Sequence, residues 1–406
     1  MTKGAVKTVA TLAGLDGAAV AALEARALAE ARQGVRALAV ARADADRSWR
    51  LIGLALLRDP LRADSRELID ELRALGVAVK MLTGDALPVA REVARDLGLG
   101  EIVPVPELRA ARREGELRAV ALTERSGGFA EVFPEDKFLI VQSLQAAGHI
   151  VGMTGDGVND APALRQAEVG IAVNAATDVA KGAASVVLTG EGLANAVDLV
   201  KNGRAIYQRV LTWIINKVSR TILKAGFVVL AFLATGRFVI SALGMVLLVF
   251  LTDFVKITLA TDRVRPSDAP ETWNIGPLVE VAAVLGLCML GEALGLLANS
   301  WQRFDLAHDP GRLQTFSFQA LLFFALFSLL SIRERRTFWA SRPSAVLALA
   351  LAGDAVLGVL IGVFGLGELR PLPVNETAWI VAYASAFSLV VNDFVKIGLL
   401  SRLRPT

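Results

Sequence analysis

MTGDGVNDAPAL, residues 153–164, begins where the apolar run HIVGMT (149–154) predicts a strand to end and a helix to follow. Ligands of a doubly wound parallel sheet bind at such strand ends. Gly155 and Gly157 allow a tight turn. Asp156 and Asp160, four residues apart, can converge on one cation or its bound waters. Mg2+ suits them, because it prefers one or two carboxylates with phosphate and water completing the shell. Asn159 can donate to a phosphate oxygen. An acidic turn with a helix cap is the plainer alternative, but it does not require the whole string.

Two further segments suit a phosphate site. MLTGD (81–85) follows another predicted strand and places the Thr83 hydroxyl and the Gly84 amide at a helix N-terminus, where backbone dipoles favour an anion. TGD also makes an ordinary helix cap, Asp85 included. FPEDK (133–137) puts Lys137 in the first turn of a helix, from which an ammonium can offset phosphate charge; alone, it also reads as a solvated surface lysine.

From Val35 to Leu188, short β-branched runs alternate with amphipathic stretches, the pattern of βαβ units on a doubly wound parallel sheet. Strands are expected at 35–40, 51–57, 77–82, 129–133, 149–154, 169–173 and 185–188. Residues 1–33 are Ala-rich and read as helical, a remnant of some other domain. The expected division is 1–50 for that remnant, 51–195 for the α/β domain and 196–406 for a helical stalk and an all-α membrane domain. The stalk, 191–212, carries Arg204 and Arg209 near its end.

Apolar residues make up 54% of the 406, and the mean hydropathy is +0.51, too apolar for a wholly soluble chain. Beyond residue 210, six stretches (211–235, 238–260, 278–299, 315–332, 344–366 and 378–400) are long enough to cross a ~30 Å hydrocarbon core. If the α/β domain is cytoplasmic, the inner connections carry Arg263, Arg265, Arg333, Arg335, Arg336, Arg342, Arg402 and Arg404, against Arg237, Arg303, Arg312 and Arg370 outside. That excess follows the positive-inside rule and predicts a plasma (inner) membrane protein embedded in the lipid bilayer. The net charge of +3 comes without long blocks of one sign, so no nucleic-acid partner is expected. Cys288 is the single cysteine, which excludes a disulfide framework.

LTDFVKI (251–257) and VNDFVKI (391–397) each place an Asp within an apolar span and a Lys three residues on. An Asp at such depth is costly and often functional, yet the lysine can offset part of the cost, so a structural ion pair stays open for both Asp253 and Asp393.

Taken together these residues resemble the P-type ATPases, over essentially the whole chain. The resemblance implies a haloacid-dehalogenase-like domain that turns over through an aspartyl phosphate, with Mg2+ and ATP as cofactor and substrate. TGDGVNDAPAL is similar to the family's magnesium motif, TGD (83–85) to its phosphate-contacting motif and FPEDK to its lysine segment. That gives catalytic-site roles to Thr83, Gly84, Asp85, Lys137 and Asn159, and a metal-binding role to Asp156 and Asp160. DPLR (59–62) resembles the family's DPPR, with Leu61 where a second proline is usual; KGA (3–5) and GVRALAVA (34–41) resemble nucleotide-domain segments. By that resemblance Lys3, Arg36, Asp59 and Arg62 bind nucleotide.

The 406 residues contain no DKTGT, the motif that supplies the family's phosphorylated Asp. The expectation is a C-terminal pump portion that needs a separately encoded N-terminal half for turnover. A non-catalytic nucleotide- or Mg-binding membrane protein regulating a partner pump is the alternative. Six spans speak against the heavy-metal branch, and LTDFVKITLATDRVRPSDAPETW (251–273) looks like the proton-pump branch. A calcium site would want several carboxylates, whereas the first span offers Asn216, Lys217, Arg220 and Lys224. H+ carried by Asp253, with Asn216 and Arg220 beside it, is therefore the expected transported cation.

Overall fold

The computed structural model describes residues 1–43, 48–58, 60–190, 194–270 and 275–402, with only the backbone of Arg402. Contacts divide the chain into two units, Met1–Val200 with Asp268–Pro270, and Lys201–Ser267 with Glu271–Thr406.

The first unit opens on β1 (Thr2–Gly4), α1 (Val6–Leu12) and α2 (Gly17–Ala31), followed by β2 (Arg36–Ala43) and β3 (Trp49–Leu57). These three strands form an antiparallel sheet in the order β1-β2-β3. Residues 1–33 are thus not helical throughout, and the expected strands at 35–40 and 51–57 make a hairpin rather than part of a parallel sheet. Alternation explains the pairing: Ala39 and Ala41 point to one face and are buried there with Val9 of α1. Hydrogen bonding carries this sheet to Leu57, past the boundary expected at residue 50.

Then come α3 (Ser65–Ala74), β4 (Met81–Leu82), α4 (Leu87–Asp96), β5 (Ile102–Pro104), α5 (Val105–Glu114), α6 (Glu116–Arg125), β6 (Gly128–Ala130) and α7 (Pro134–Ala146). They are followed by β7 (Gly152–Gly155), α8 (Ala161–Gln166), β8 (Val169–Ala172), α9 (Asp178–Ala183) and β9 (Val186–Val187). All pairings among β4–β9 are parallel, in two sheets ordered β4-β6-β5 and β7-β8-β9. Only the last two residues of the strand expected at 77–82 are extended in the sheet. Val77 N–H instead closes the end of α3 on Leu72 O, and Lys80 Nζ donates to Glu124 O and Ser126 O at 2.9 and 2.6 Å. Gly128 sits at φ 155°, and a Cβ there would collide with Met81 backbone, so only glycine lets β6 approach β4. Leu82 and Leu144 pack against the apolar clusters of both parallel sheets.

The second unit is helical: α10 (Ala194–Thr235, which begins in the first unit), α11 (Ala242–Thr258), α12 (Ile275–Arg303), α13 (Pro310–Ile332), α14 (Ala345–Phe364), α15 (Val374–Ala386) and α16 (Asn392–Arg402). A five-residue π-helical turn, Phe387–Val391, joins α15 to α16. The six spans are long and apolar enough to cross a membrane, at the expected places, and the chain is a multi-pass integral membrane protein. The expected stalk is continuous with the first span inside α10. α13 is the buried core of this unit, with Phe316, Phe318, Phe323 and Phe324 fully enclosed.

Candidate functional site

β7 ends at Gly155, and the chain turns through Asp156 and Gly157 into a short 3-10 turn, Val158–Asp160, ahead of α8. Asp160 turns back into this loop, where its Oδ2 accepts from Asp156 N and Gly157 N at 3.1 Å each. The turn needs glycine at 155, since a Cβ there would meet the Asp160 Cβ at 2.6 Å. Lys137 Nζ donates to the other oxygen, Oδ1, at 2.6 Å. Burial by itself would raise the pKa of Asp160, but the Lys137 ammonium and the two amides outweigh it and hold the carboxyl below its ordinary value. It is therefore a permanent anion at neutral pH. Asp156 is exposed, and its carboxylate has no partner among the described residues, as has the exposed Asn159 side chain.

Lys137 stands in the first turn of α7, as expected, and the start of that helix is fixed by groups that sequence reading missed. Asp136 Oδ2 accepts from Phe133 N at 2.9 Å, and Arg109 grips both Asp136 oxygens at 2.8 and 2.7 Å. An acidic residue at the third helical position after FP is a capping signal that could have found Asp136. Nothing local points to Arg109, which comes from α5.

The Thr83–Asp85 segment is a tight turn after β4, ahead of a helix that starts only at Leu87. Thr83 Oγ1 donates to Asp85 Oδ2 at 2.8 Å and accepts from Asp85 N at 3.1 Å, so the hydroxyl is engaged within its own turn rather than at a helix N-terminus. Gly84 is exposed. Val132 N–H closes on Thr83 O and Glu131 N–H on Asp85 O, which ties this turn to the segment leading to Lys137.

Lys3 lies opposite Val40 in the N-terminal sheet, and Arg36 is four residues earlier on β2. With a strand period of two, both point to the face away from Ala39, Ala41 and α1, and both are exposed. Arg62 lies 3.6 Å from Asp64 on the surface. Asp59 lies outside the described residues.

In the helical unit the two similar heptapeptides part company. Asp253 is 51% exposed and meets Lys256 at 2.5 Å. Asp393 is sealed: Oδ1 accepts from Lys396 Nζ at 2.6 Å and Ser331 Oγ at 2.8 Å, and Oδ2 from Phe338 N at 3.1 Å. Lys396 also donates to Ser331 O and Arg336 O. Every polar atom of that pair is satisfied, as a structural ion pair requires. Arg220 is buried and donates to Ala325 O at 2.7 Å, while its Nε and Nη1 have no partner. Asn216, also buried, donates to Thr212 O and leaves Oδ1 unpaired.

Residues 4–168 match the model of the haloacid dehalogenase-like hydrolases. Over 379 residues the chain is 36% identical to a Methanocaldococcus jannaschii protein named "Putative cation-transporting ATPase MJ1226". The alignment covers 92% of this chain and 46% of that protein, so the chain spans about half the length of its relative. The parallel sheets, the loop after β7 and the six spans agree with both findings: the chain carries a haloacid dehalogenase-like hydrolase domain and a six-span membrane domain, and is similar to the Methanocaldococcus protein over most of its own length.

Proposed function

We propose that this chain is the C-terminal, catalytic-support portion of a P-type ATPase that moves a cation, H+ by preference, across the plasma (inner) membrane at the expense of ATP. The observation that carries the reading is the Lys137–Asp160 pair. It sets an ammonium beside the loop that bears the free carboxylate Asp156 and the free amide Asn159. In phosphoryl transfer such fixed charges stabilise the transferring group because they are already oriented when charge develops.

Mg2+ fits the residues present, but unequally. Asp156 offers an open carboxylate, whereas both Asp160 oxygens are engaged, so Asp156 would hold the ion and Asp160 would hold the loop. When bound, the ion would neutralise phosphate charge. Lys3 and Arg36, on one open sheet face, suit the nucleotide phosphates.

The nucleophile would come from a DKTGT segment of the same longer polypeptide or of a separate N-terminal half. Its place is suggested by the sheets. Among the described residues, β4 pairs only with β6 and β7 only with β8, so each has an open edge, while Leu82 and Leu144 touch the clusters of both sheets. A parallel strand between β4 and β7 would join two three-stranded sheets into one and bring its own carboxylate to the strand ends where Thr83 and Asp156 stand. Asp253 is the preferred proton carrier, because Asp393 is closed on Lys396 whereas Asp253 retains access.

Incubating the purified chain with labelled ATP tests this reading. No acid-stable phosphate should be incorporated until a DKTGT-bearing N-terminal portion is joined or co-expressed, and the label should then reside on that portion. Label on an Asp of this chain, or no label on the joined protein, would overturn it.

A further inference from the structure

Buried carboxylates of the helical unit are generally matched by a cation: Asp262 by Arg333 at 2.8 Å, Glu376 by Arg312 at 2.5 Å and Asp393 by Lys396. Glu292, half-buried, is instead paired with no cation among the described residues. It sits inside α12, roughly 26 Å of helix from Ile275 and roughly 17 Å from Arg303, where an ionised carboxylate is expensive. Its partner is an amide, Asn392 Nδ2, which donates to Oε2 at 2.8 Å. Asn392 is 4% exposed, and its Oδ1 has no partner. Ser388, fully buried one turn earlier on the same face, also has an unpartnered hydroxyl. The wide turn at Phe387–Val391, closed by Asn392 N–H on Phe387 O, sets the register of these side chains. Such turns interrupt helices frequently at functional positions.

We propose that Glu292, Asn392 and Ser388 form a proton-binding site between α12 and the α15–α16 helix, separate from Asp253. An ionised Glu292 accepts from Asn392 Nδ2. Once it binds a proton, its O–H donates to Asn392 Oδ1 after the amide rotates by half a turn. Ser388, on the same helix, keeps a hydroxyl that can donate or accept and has no partner in this arrangement. The unpaired Oδ1 is thus the acceptor held for the protonated state, and the proton arrives from and returns to water without any redox or covalent change.

Among the described residues no charged group competes for Glu292. Cys288 on α12 and Tyr383 on α15 are the titratable groups that feel the Glu292 charge. α13 has no charged residue between Arg312 and Arg333, and the Asp393–Lys396 pair of α16 is closed on itself. On α10, Arg220 donates to Ala325 O and Lys224 to Thr252, while Lys217 is exposed. The inference does not depend on the phosphoryl-transfer reading.

Infrared difference spectroscopy of the full chain in lipid nanodiscs, titrated with acid, tests it. A carboxylic-acid C=O band should grow as the pH falls and be lost in Glu292→Gln, whose side-chain amide can still pair with Asn392 and so preserve the packing. In Asn392→Ala the band should persist with a shifted frequency and midpoint. An unchanged set of bands in Glu292→Gln, or an unmoved band in Asn392→Ala, would overturn the site. So would a midpoint that moves with sodium concentration at fixed ionic strength, which would mark a metal-cation site instead.

Discussion

Replacing Asp160 by alanine removes in one step the acceptor for two backbone amides and the counter-charge of Lys137. A hydrogen bond to a charged group is worth about 1.5–3 kcal/mol net. The Asp160 side chain is 5% exposed, so solvent screens little of this. The two amides share one oxygen, and they count as one strong interaction rather than two. A loss of about 2 kcal/mol for the loop follows, equivalent to local opening on the order of 30-fold more often. Hydrogen exchange of peptides covering residues 154–160, followed by mass spectrometry on the full chain in nanodiscs, reads this directly. Lys137→Met is the comparison: it leaves the amide bonds in place, and the expected acceleration is smaller than in Asp160→Ala. The pH dependence has a definite sign. Because the folded pKa lies below 3.8, the protection that depends on the anion is complete above that value and is lost as the pH falls through the lowered one. If the loop in Asp160→Ala exchanges at the unmodified rate, Asp160 does not hold it and its assignment as the anchor fails.

Three other outcomes are expected. Gly155→Ala puts a Cβ against Asp160 and should accelerate exchange in the same loop, with no change in the peptides of α12–α16. Asp156→Ala should nearly abolish the weak Mg2+ binding measured by calorimetry while leaving loop protection intact; equal heats for the two proteins would remove Asp156 from the metal site. Asp393→Asn breaks a buried pair and should cost about 3 kcal/mol in unfolding of the membrane unit, whereas Asp253→Asn, half exposed, should cost under about 1 kcal/mol. In a completed pump reconstituted in vesicles, the ranking should invert, with Asp253→Asn abolishing acidification although phosphorylation persists.

Much of this architecture can be read from residue order alone, and the failures share a cause. The six spans are legible because ~20 apolar residues in a row have few other uses. The loop after β7 is legible because glycines and carboxylates at fixed spacing define both a turn and a charge. The N-terminal sheet is not, since VRALAV and LIGLALL are as apolar as strands of a parallel sheet and only their pairing with each other and with the three-residue β1 shows them to be antiparallel. β5 is hidden because IVP ends in a proline that signals a turn, although proline is tolerated on an edge strand, which β5 is. Within the site, the spacing of Asp156 and Asp160 suggested two equal metal ligands. Their different roles follow from Lys137, 23 residues away in sequence, which no local pattern can pair with one carboxylate and not the other. LTDFVKI and VNDFVKI make the same point: one motif is half exposed and the other sealed by Ser331 and Phe338, which lie far off in the chain.

The burial of α13 bears on how the protein is made. Ser317, Gln319, Ser328 and Ser331 are all enclosed, and the helix is tied to the last span at both ends, by Arg312 to Glu376, Thr377 to Gln319 and Lys396 to the Ser331 carbonyl. Spans emerge from the ribosome in order, so α13 enters the bilayer before the residues that satisfy it have been synthesised. Until α15 and α16 arrive, Arg312, Gln319 Oε1 and the Ser331 hydroxyl lack their partners Glu376, Thr377 and Asp393, and α13 is the natural handle for membrane chaperones and proteases that survey unassembled helices. Cutting the chain after α14 should therefore shorten its lifetime in the cell far more than the loss of one peripheral span would suggest.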